Sequence, residues 1–134
     1  MAHVVVLTDG SESDDRLVSE AGAQAGPGGA VVALAVLPGS LVSGIDPPSA
    51  RGRARREHEN AATRRLSAQL GRVGIDCEAR TLALFGDAVD DTLLLATNLG
   101  ADMVVVRADF PTVERLRRQS PTPVLEVPQA EAPA

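Results

Sequence analysis

The sequence predicts an α/β fold: an open, doubly wound, parallel five-stranded sheet of strand order 3-2-1-4-5, with helices on both faces. Three observations lead to this prediction. Short runs of β-branched and other apolar residues alternate with longer segments of helical composition. The first two runs are apolar throughout, which is typical of strands buried on both faces. Glycine, proline or aspartate follows most segments, and these residues mark turns.

The first part of the chain supplies two strands and a helix. Residues 3–8 and 30–37 are the predicted strands, and a glycine-containing turn follows each. Ser11 or Ser13 can cap the helix between them. The segment 26–29 has the composition of a dinucleotide-binding loop, but it precedes a strand, so we interpret it as a turn. The apolar stripe of the helix consists of Leu17, Val18, Ala21 and Ala25.

The middle of the chain predicts a loop, a long helix and an edge strand. Residues 38–49 are rich in proline, glycine and serine, and we expect weak order there. Residues 50–70 form the predicted helix. Residues 76–84 alternate between polar and apolar, as in a strand at a sheet edge. Cys77, within this strand, is interpreted as a small core residue because nothing near it would lower its pKa.

The last part of the chain completes the alternation. Gly86 and Asp87 lead into the next helix, and Gly100 stops it. We expect one domain over residues 1–128 and a disordered tail at 129–134. The remaining predicted elements are this third helix through Leu99, a strand at 103–106, a short helix at 112–119 and a last strand at 123–127.

Charge and composition exclude several function classes. The net charge is -5, and all 13 basic residues are arginine. An acidic chain disfavours nucleic-acid binding, and without lysine there is no P-loop lysine and no Schiff base. The second helix carries an arginine cluster, which we interpret as a solvated face because Glu57 and Glu59 dilute it; a patch for an anionic partner is the alternative. The cluster is Arg51, Arg53, Arg55, Arg56, Arg64 and Arg65.

We expect a cytoplasmic protein without metal or membrane contact. No apolar run approaches the ~18 residues needed to span a bilayer, and the N-terminus lacks a signal-like pattern. Cys77 is the only cysteine, which excludes an intrachain disulfide and fits a reducing compartment. His3 and His58 have no second ligand at metal-binding spacing, so we expect no metal site.

Four short motifs follow one another along the chain. The first strand ends in Thr-Asp-Gly-Ser, and Gly86-Asp87 opens the third helix. Gly-Ala-Asp-Met-Val-Val-Val at 100–106 forms the approach to the fourth strand. Glu114-Arg115 and Ser-Pro-Thr-Pro-Val-Leu at 120–125 close the chain. In this order and spacing they resemble the universal stress protein family over nearly the whole chain, and the resemblance implies a role in stress response.

The family's phosphate loop has no counterpart after the fourth strand. Nucleotide-binding members carry G-x-x-G there, then nine residues, then G-S or G-T. This chain continues Arg-Ala-Asp-Phe-Pro-Thr-Val from Arg107, which stands at the first loop glycine, so about nine family residues are missing. Phosphates in such loops are held by backbone N–H groups that only glycine lets approach closely. The resemblance thus implies a member that binds ATP weakly or not at all and needs no cofactor.

Two positions of the family's adenosine site are retained. The resemblance implies that Asp9 contacts the adenosine moiety and that the backbone of Val36 meets the adenine edge. Arg107 can fill the vacated phosphate space or attract a small anion. Each residue also has a structural interpretation: Asp9 can hold the backbone amides of its own turn, and Arg107 can pair with Asp9 or Asp109.

Family members commonly join their last strands antiparallel across a two-fold axis. The resemblance implies a homodimer through the last strand, at Val124, Leu125, Glu126 and Val127. An unpaired edge covered by residues 128–134 is the alternative. We interpret the protein as a non-catalytic stress-response protein that acts by self-association and protein contacts. The alternative function is a small-ligand sensor that holds a nucleoside or anion near Asp9, Val36 and Arg107. No enzyme is predicted, because the sequence shows no activated nucleophile, metal cluster or paired acid and base.

Overall fold

The computed structural model describes residues 2–128, and the predicted tail at 129–134 lies outside this range. The predicted fold class is confirmed: five parallel strands lie in the order β3-β2-β1-β4-β5, with helices on both faces. The strands are β1 (His3–Leu7), β2 (Ala30–Leu37), β3 (Glu78–Phe85), β4 (Met103–Arg107) and β5 (Val124–Val127). The α-helices are α1 (Asp15–Ala25), α2 (Pro48–Val73), α3 (Ala88–Leu99) and α4 (Val113–Gln119).

Alternation along the strands divides the core between the two faces of the sheet. Val4 and Val6 of β1 pack with α1 and α2, whereas Val5 between them packs with α3 and α4. Successive side chains of a strand point to opposite faces, so a run of valines can fill both cores. This is why the first two apolar runs contain no polar alternation. Within residues 2–128, no helix has both the length and the apolar character needed to cross a membrane.

Two predicted boundaries differ from those in the structure. The second helix begins at Pro48 and runs to Val73, because proline is well tolerated in the first turn of a helix. The preceding segment is therefore shorter than predicted, and it contains a 3-10 helix, Gly39–Leu41, and the buried Val42. Cys77 precedes β3, where it packs against the core, and burial raises the pKa of its thiol.

The sheet has two edges, β3 and β5. Each pairs with one neighbour, β2 and β4 respectively. The backbone of β5 alternates in direction: the carbonyl oxygens of Pro123 and Val127 accept hydrogen bonds from Val104 and Ala108, on the β4 side. Leu125 lies two residues from both Pro123 and Val127, so its backbone N–H and C=O also face β4. The N–H groups of Val124 and Glu126 therefore point away from the sheet.

Candidate functional site

A cavity of about 160 Å³ opens where β1, β2 and β4 reach their carboxyl ends. This is the crevice beside the strand at which the sheet order reverses, the usual ligand position in open α/β sheets. Asp9, Val36 and Arg107, the three residues predicted from sequence, all line it. The complete lining is Leu7, Thr8, Asp9, Asp14, Ala35, Val36, Leu37, Arg65, Ala88, Val106, Arg107 and Phe110.

Asp9 organises the turn that follows β1. Its Oδ1 accepts hydrogen bonds from the Ser11 N–H at 2.8 Å and from the Ser11 hydroxyl at 2.6 Å. Burial alone would raise the pKa of Asp9, but these hydrogen bonds outweigh it and lower the pKa. Gly10 adopts φ +83°, and a Cβ there would lie 2.8 Å from the Cβ of Arg65. The turn therefore requires glycine, and it brings α2 against the end of β1.

Asp14 is the central buried acid of the site. Its side chain is only 4% exposed, and its Oδ2 accepts a hydrogen bond from the Asp9 N–H at 3.0 Å. The other oxygen, Oδ1, is buried without a hydrogen bond. Arg107 Nη1 lies 3.6 Å from it, close enough for an ion pair but too long for a hydrogen bond. Burial raises the pKa of Asp14, and the neighbouring Asp9 carboxylate raises it further.

Gln69 connects α2 to this turn from within the core. Its Oε1 accepts a hydrogen bond from the Thr8 hydroxyl at 2.9 Å, and its Nε2 donates to the Ser11 carbonyl at 2.9 Å. Nε2 also donates to Asp15 at 3.2 Å. Gln69 and Thr8 are both buried, so each satisfies polar groups that water cannot reach.

Arg107 reaches the cavity from the end of β4. Its Nε lies 3.3 Å from Asp109 Oδ1, as one of the sequence alternatives predicted. The other alternative, a pair with Asp9, is wrong, since Asp14 is the second partner. The 3-10 helix Glu12–Asp14 places the Asp14 carboxylate inside the crevice, whereas that of Asp9 is engaged by Ser11.

The turn between β4 and α4, with the first residue of α4, uses three of its five backbone N–H donors within the protein. The N–H groups of Ala108, Phe110 and Val113 donate to the carbonyl oxygens of Val127, Arg107 and Phe110. Pro111 has no N–H. In this turn, only the N–H groups of Asp109 and Thr112 remain.

Val36 presents its backbone to the crevice. β1 ends opposite Leu34, whose carbonyl accepts a hydrogen bond from the Thr8 N–H at 2.9 Å. Val36 lies two residues after Leu34, so its N–H and C=O also point toward the β1 side of the strand. They lie beyond the end of β1. These two groups are available to a planar ligand edge.

The two histidines weighed as metal ligands lie outside the cavity. His58 packs edge-on against Phe85, with ring centroids 6.2 Å apart, and Arg55 lies 5.0 Å from the centroid of the same ring. His3 begins β1, at the opposite end of the sheet. Among the described residues, no three histidine, cysteine, aspartate or glutamate side chains are grouped so that they could hold a metal ion.

The sequence model described as "Universal stress protein family" matches residues 1–128. The chain belongs to this family. A search of curated proteins gave no match. The family assignment confirms the resemblance given by the four motifs.

Solved structures with a similar fold superpose on almost the whole length of this family member. The hypothetical protein MJ0577 superposes with a TM-score of 0.79 at 13% identity, covering 98% of each chain. A universal stress protein in complex with cAMP has 26% identity and a TM-score of 0.60, covering 96% of this chain and 98% of its own. An Arabidopsis thaliana family protein with AMP bound has 16% identity and a TM-score of 0.61, covering 97% and 93%. At 13% and 16% identity, the first and last show the shared fold only.

Sequence reasoning missed two buried polar residues of the candidate site, Asp14 and Gln69. From its position in the sequence, Asp14 is an acid in the first turn of a helix, where a negative charge favours the helix start. Gln69 is one residue in the stripe of α2. One signal was available: glutamine is rarely buried unless it is paired, and Gln69 lies among the apolar positions of its helix. Its partners belong to another part of the chain, so no local pattern identified them.

Proposed function

We propose that this family member acts in stress response as a non-catalytic homodimer that holds ATP weakly or not at all. The observation that carries the ATP part of the proposal is the turn after β4. A phosphate-binding loop needs several N–H groups that face the ligand. Here the N–H groups of Ala108, Phe110 and Val113 are bonded to the protein's own carbonyls, and no glycine follows Gly100 in the sequence.

The charges around the cavity also disfavour a triphosphate. Asp9 and Asp14 line it, and Asp109 holds Arg107 from outside. Arg65 and Arg107 are the two arginines of the lining, so three carboxylates oppose two guanidinium groups. The cavity, at about 160 Å³, is also below the roughly 300–1,000 Å³ typical of small-molecule pockets.

Calorimetric titration with Mg-ATP near neutral pH tests this part. We expect a dissociation constant weaker than about 100 μM, which corresponds to a small binding free energy. A constant of about 1 μM or tighter would contradict the proposed loss of ATP binding.

The dimer part rests on the outer edge of β5. The N–H groups of Val124 and Glu126 point away from β4, and this edge lacks a neighbouring strand among residues 2–128. An edge with free N–H and C=O groups can pair with the same edge of a second copy across a two-fold axis. Glu126 carries the one charge of the strand, and Arg117 lies 3.2 Å from it.

Two proline variants separate dimer contacts from subunit stability. Glu126→Pro removes an outward N–H, so we expect it to convert dimer to monomer in light scattering with the fold retained. Leu125→Pro removes an N–H that faces β4, and it should lower subunit stability by about 3 kcal/mol. Glu126→Ala is the control, since it loses only the ion pair and keeps the N–H. A monomeric unmutated protein at high micromolar concentration would refute the dimer.

A second candidate function is favoured by the cavity itself. Asp9, Val36 and Arg107 converge on one space, and two structures of similar fold are named with cAMP or AMP. The cavity can hold a nucleoside or small anion, with the Val36 backbone at the ligand edge and Asp9 as an acceptor. Adenosine should then raise the melting temperature in proportion to its occupancy of the native state. No shift at millimolar adenosine would remove this candidate and leave the dimer proposal intact.

A further inference from the structure

The cavity contains a buried carboxylate that depends on a single guanidinium. Asp14 Oδ1 is buried and has no hydrogen bond, and Arg107 Nη1, at 3.6 Å, is the cation that faces it. Arg107 is itself 29% exposed and lines the open space in which a ligand would lie. The same guanidinium is thus the partner of Asp14 and a donor that faces the space of an anionic ligand.

An anion that recruits Arg107 would leave Asp14 charged and without its partner. An uncompensated buried charge is strongly unfavourable, and a carboxylate relieves this cost by taking up a proton. The groups around Asp14 permit protonation without rearrangement, because the Asp9 N–H and the Thr8 hydroxyl, at 3.0 and 3.4 Å, contact Oδ2 and leave Oδ1 free.

We propose that binding of an anionic ligand in this cavity is coupled to the uptake of one proton by Asp14, with Arg107 transferring its ion pair from Asp14 to the ligand. The proton comes from solvent and is bound at Oδ1, and no covalent bond changes. The inference rests on the second candidate function, the use of the cavity by a small ligand. It makes the site a sensor of acidity as well as of ligand.

Of the other charged groups near Asp14, Asp9 acts in the same direction, Asp15 and Asp109 are paired, and Arg65 is a second cation of the cavity lining. Asp9, from the turn after β1, is a like charge that favours protonation of Asp14. Arg65, from α2, lines the cavity, and its Nε lies 3.5 Å from the Asp9 carbonyl oxygen. Asp15 is held by Arg72 at 2.7 Å, and Asp109 faces Arg107 from the solvent side. From α3, Ala88 alone lines the space.

The pKa of Asp14 is raised before any ligand binds. Burial already favours the protonated form, and loss of Arg107 to a ligand would raise the pKa further. Between the pKa of the free and the occupied protein, affinity for the anion should therefore fall about tenfold for each pH unit of increase. An uncharged ligand leaves Arg107 in place and should show no such dependence.

Cyclic AMP and adenosine are the matched probes, since they share the nucleoside and only cyclic AMP carries a phosphodiester. That group keeps a single negative charge from about pH 8 to about pH 5. We expect cyclic AMP to bind the unmutated protein more tightly as the pH falls, and adenosine to bind equally throughout. Calorimetry in two buffers of different ionisation enthalpy should show an uptake approaching about one proton per cyclic AMP at the steepest part of the profile.

Asp14→Asn tests the residue assignment. The amide oxygen can still accept from the Asp9 N–H, but the charge is gone, so the affinity for cyclic AMP should be independent of pH and high at pH 8. Asp109→Asn is the control, because it removes the exposed partner of Arg107 and should keep the pH dependence. Cyclic AMP affinity that does not change with pH in the unmutated protein, while adenosine binds, overturns the coupling alone. Absence of binding by both ligands at every pH overturns the ligand-site function together with the coupling.

Discussion

On the β1 side of the cavity, Asp14 and Gln69 are buried and hydrogen-bonded to the backbone, whereas on the β4 side the Arg107 side chain is held, among the described residues, by charge alone. Gln69 joins the Thr8 hydroxyl to the Ser11 carbonyl, and Asp14 accepts from the Asp9 N–H. Arg107 has only ion pairs, at 3.6 Å to Asp14 and 3.3 Å to Asp109. Hydrogen bonds among buried groups are costly to break, but an ion pair at a cavity mouth can be exchanged for a ligand. The β1 side is thus the fixed wall of the site, and the β4 side is the exchangeable one.

The largest effect is expected from the fixed wall, with Gln69→Leu. The change leaves the Thr8 hydroxyl and the Ser11 carbonyl without their partner inside the core, and it should lower the free energy of unfolding by about 3 kcal/mol. Urea denaturation measures the loss. Gln24→Leu is the matched control, because Gln24 is exposed on α1 and its side chain donates a hydrogen bond to the exposed Glu20, so its change should stay within about 0.5 kcal/mol. Equal effects of the two variants would remove the distinction between the walls.

The next largest effect is expected from Arg107→Gln, and it should depend on pH. Without the guanidinium, the pKa of Asp14 should rise further above the ordinary aspartate value of about 4. A raised folded-state pKa contributes stability below the unfolded-state value and loses it as the pH rises through the folded-state value. The deficit of the variant should therefore be about 1–2 kcal/mol at neutral pH and disappear below about pH 4.

Denaturation curves at several pH values, with the exposed Arg118→Gln as the control, test this prediction. A deficit of Arg107→Gln that is the same at neutral and acid pH would show that Arg107 does not compensate Asp14.

Asp9→Ala should have a smaller effect on stability. The change removes the two hydrogen bonds from Ser11 that shape the turn, and the expected loss is about 1 kcal/mol. Because the Asp9 pKa is lowered, its contribution is present above the unfolded-state pKa and is lost as the pH falls through the folded-state value. Thermal denaturation compares it with Asp76→Ala, an exposed aspartate outside the turn. Loss of a bound nucleoside with unchanged stability would instead assign Asp9 to ligand binding.

The smallest effect is expected from Asp109→Asn on the exchangeable wall. Asp109 is 59% exposed, so solvent screens its pair with Arg107, and the free energy of unfolding should change by less than about 0.5 kcal/mol. Chemical denaturation at low and high salt is the measurement. A change above about 1 kcal/mol would mean that the β4 side is as firmly built as the β1 side.

The sequence predicted the five strands and the two ends of α3 because their signals are local. The valine run of β1, the cap at Asp87 and the left-handed Gly100 each act within a few residues of their own position. The structure shows Asp87 accepting from the N–H groups of Val89 and Asp90 at the start of α3. Such patterns require no knowledge of the rest of the fold.

The chemistry of the cavity could be predicted only in part. Val36 and Arg107 lie at strand ends and Asp9 lies just beyond one, and the carboxyl ends of parallel strands meet at one edge of the sheet. The surroundings of Asp14 depend on Thr8, which Gln69 of α2 holds by a hydrogen bond, and on Arg107 of β4. Whether an acid in a helical first turn faces solvent or a crevice is decided by these distant partners, and this is why Asp9 was predicted as a partner for Arg107.

The other edge of the sheet, β3, sets a limit on how far assembly can proceed. If two copies join through β5, the two β3 strands become the ends of one continuous sheet of ten strands. A protein with two unguarded edges would extend into a fibre. β3 begins with Glu78 and Arg80, which are exposed and 3.3 Å apart, and charges of this kind discourage a further strand. Assembly would then stop at two copies, because the charged β3 edge, the one farthest from the dimer contact, would not accept another strand.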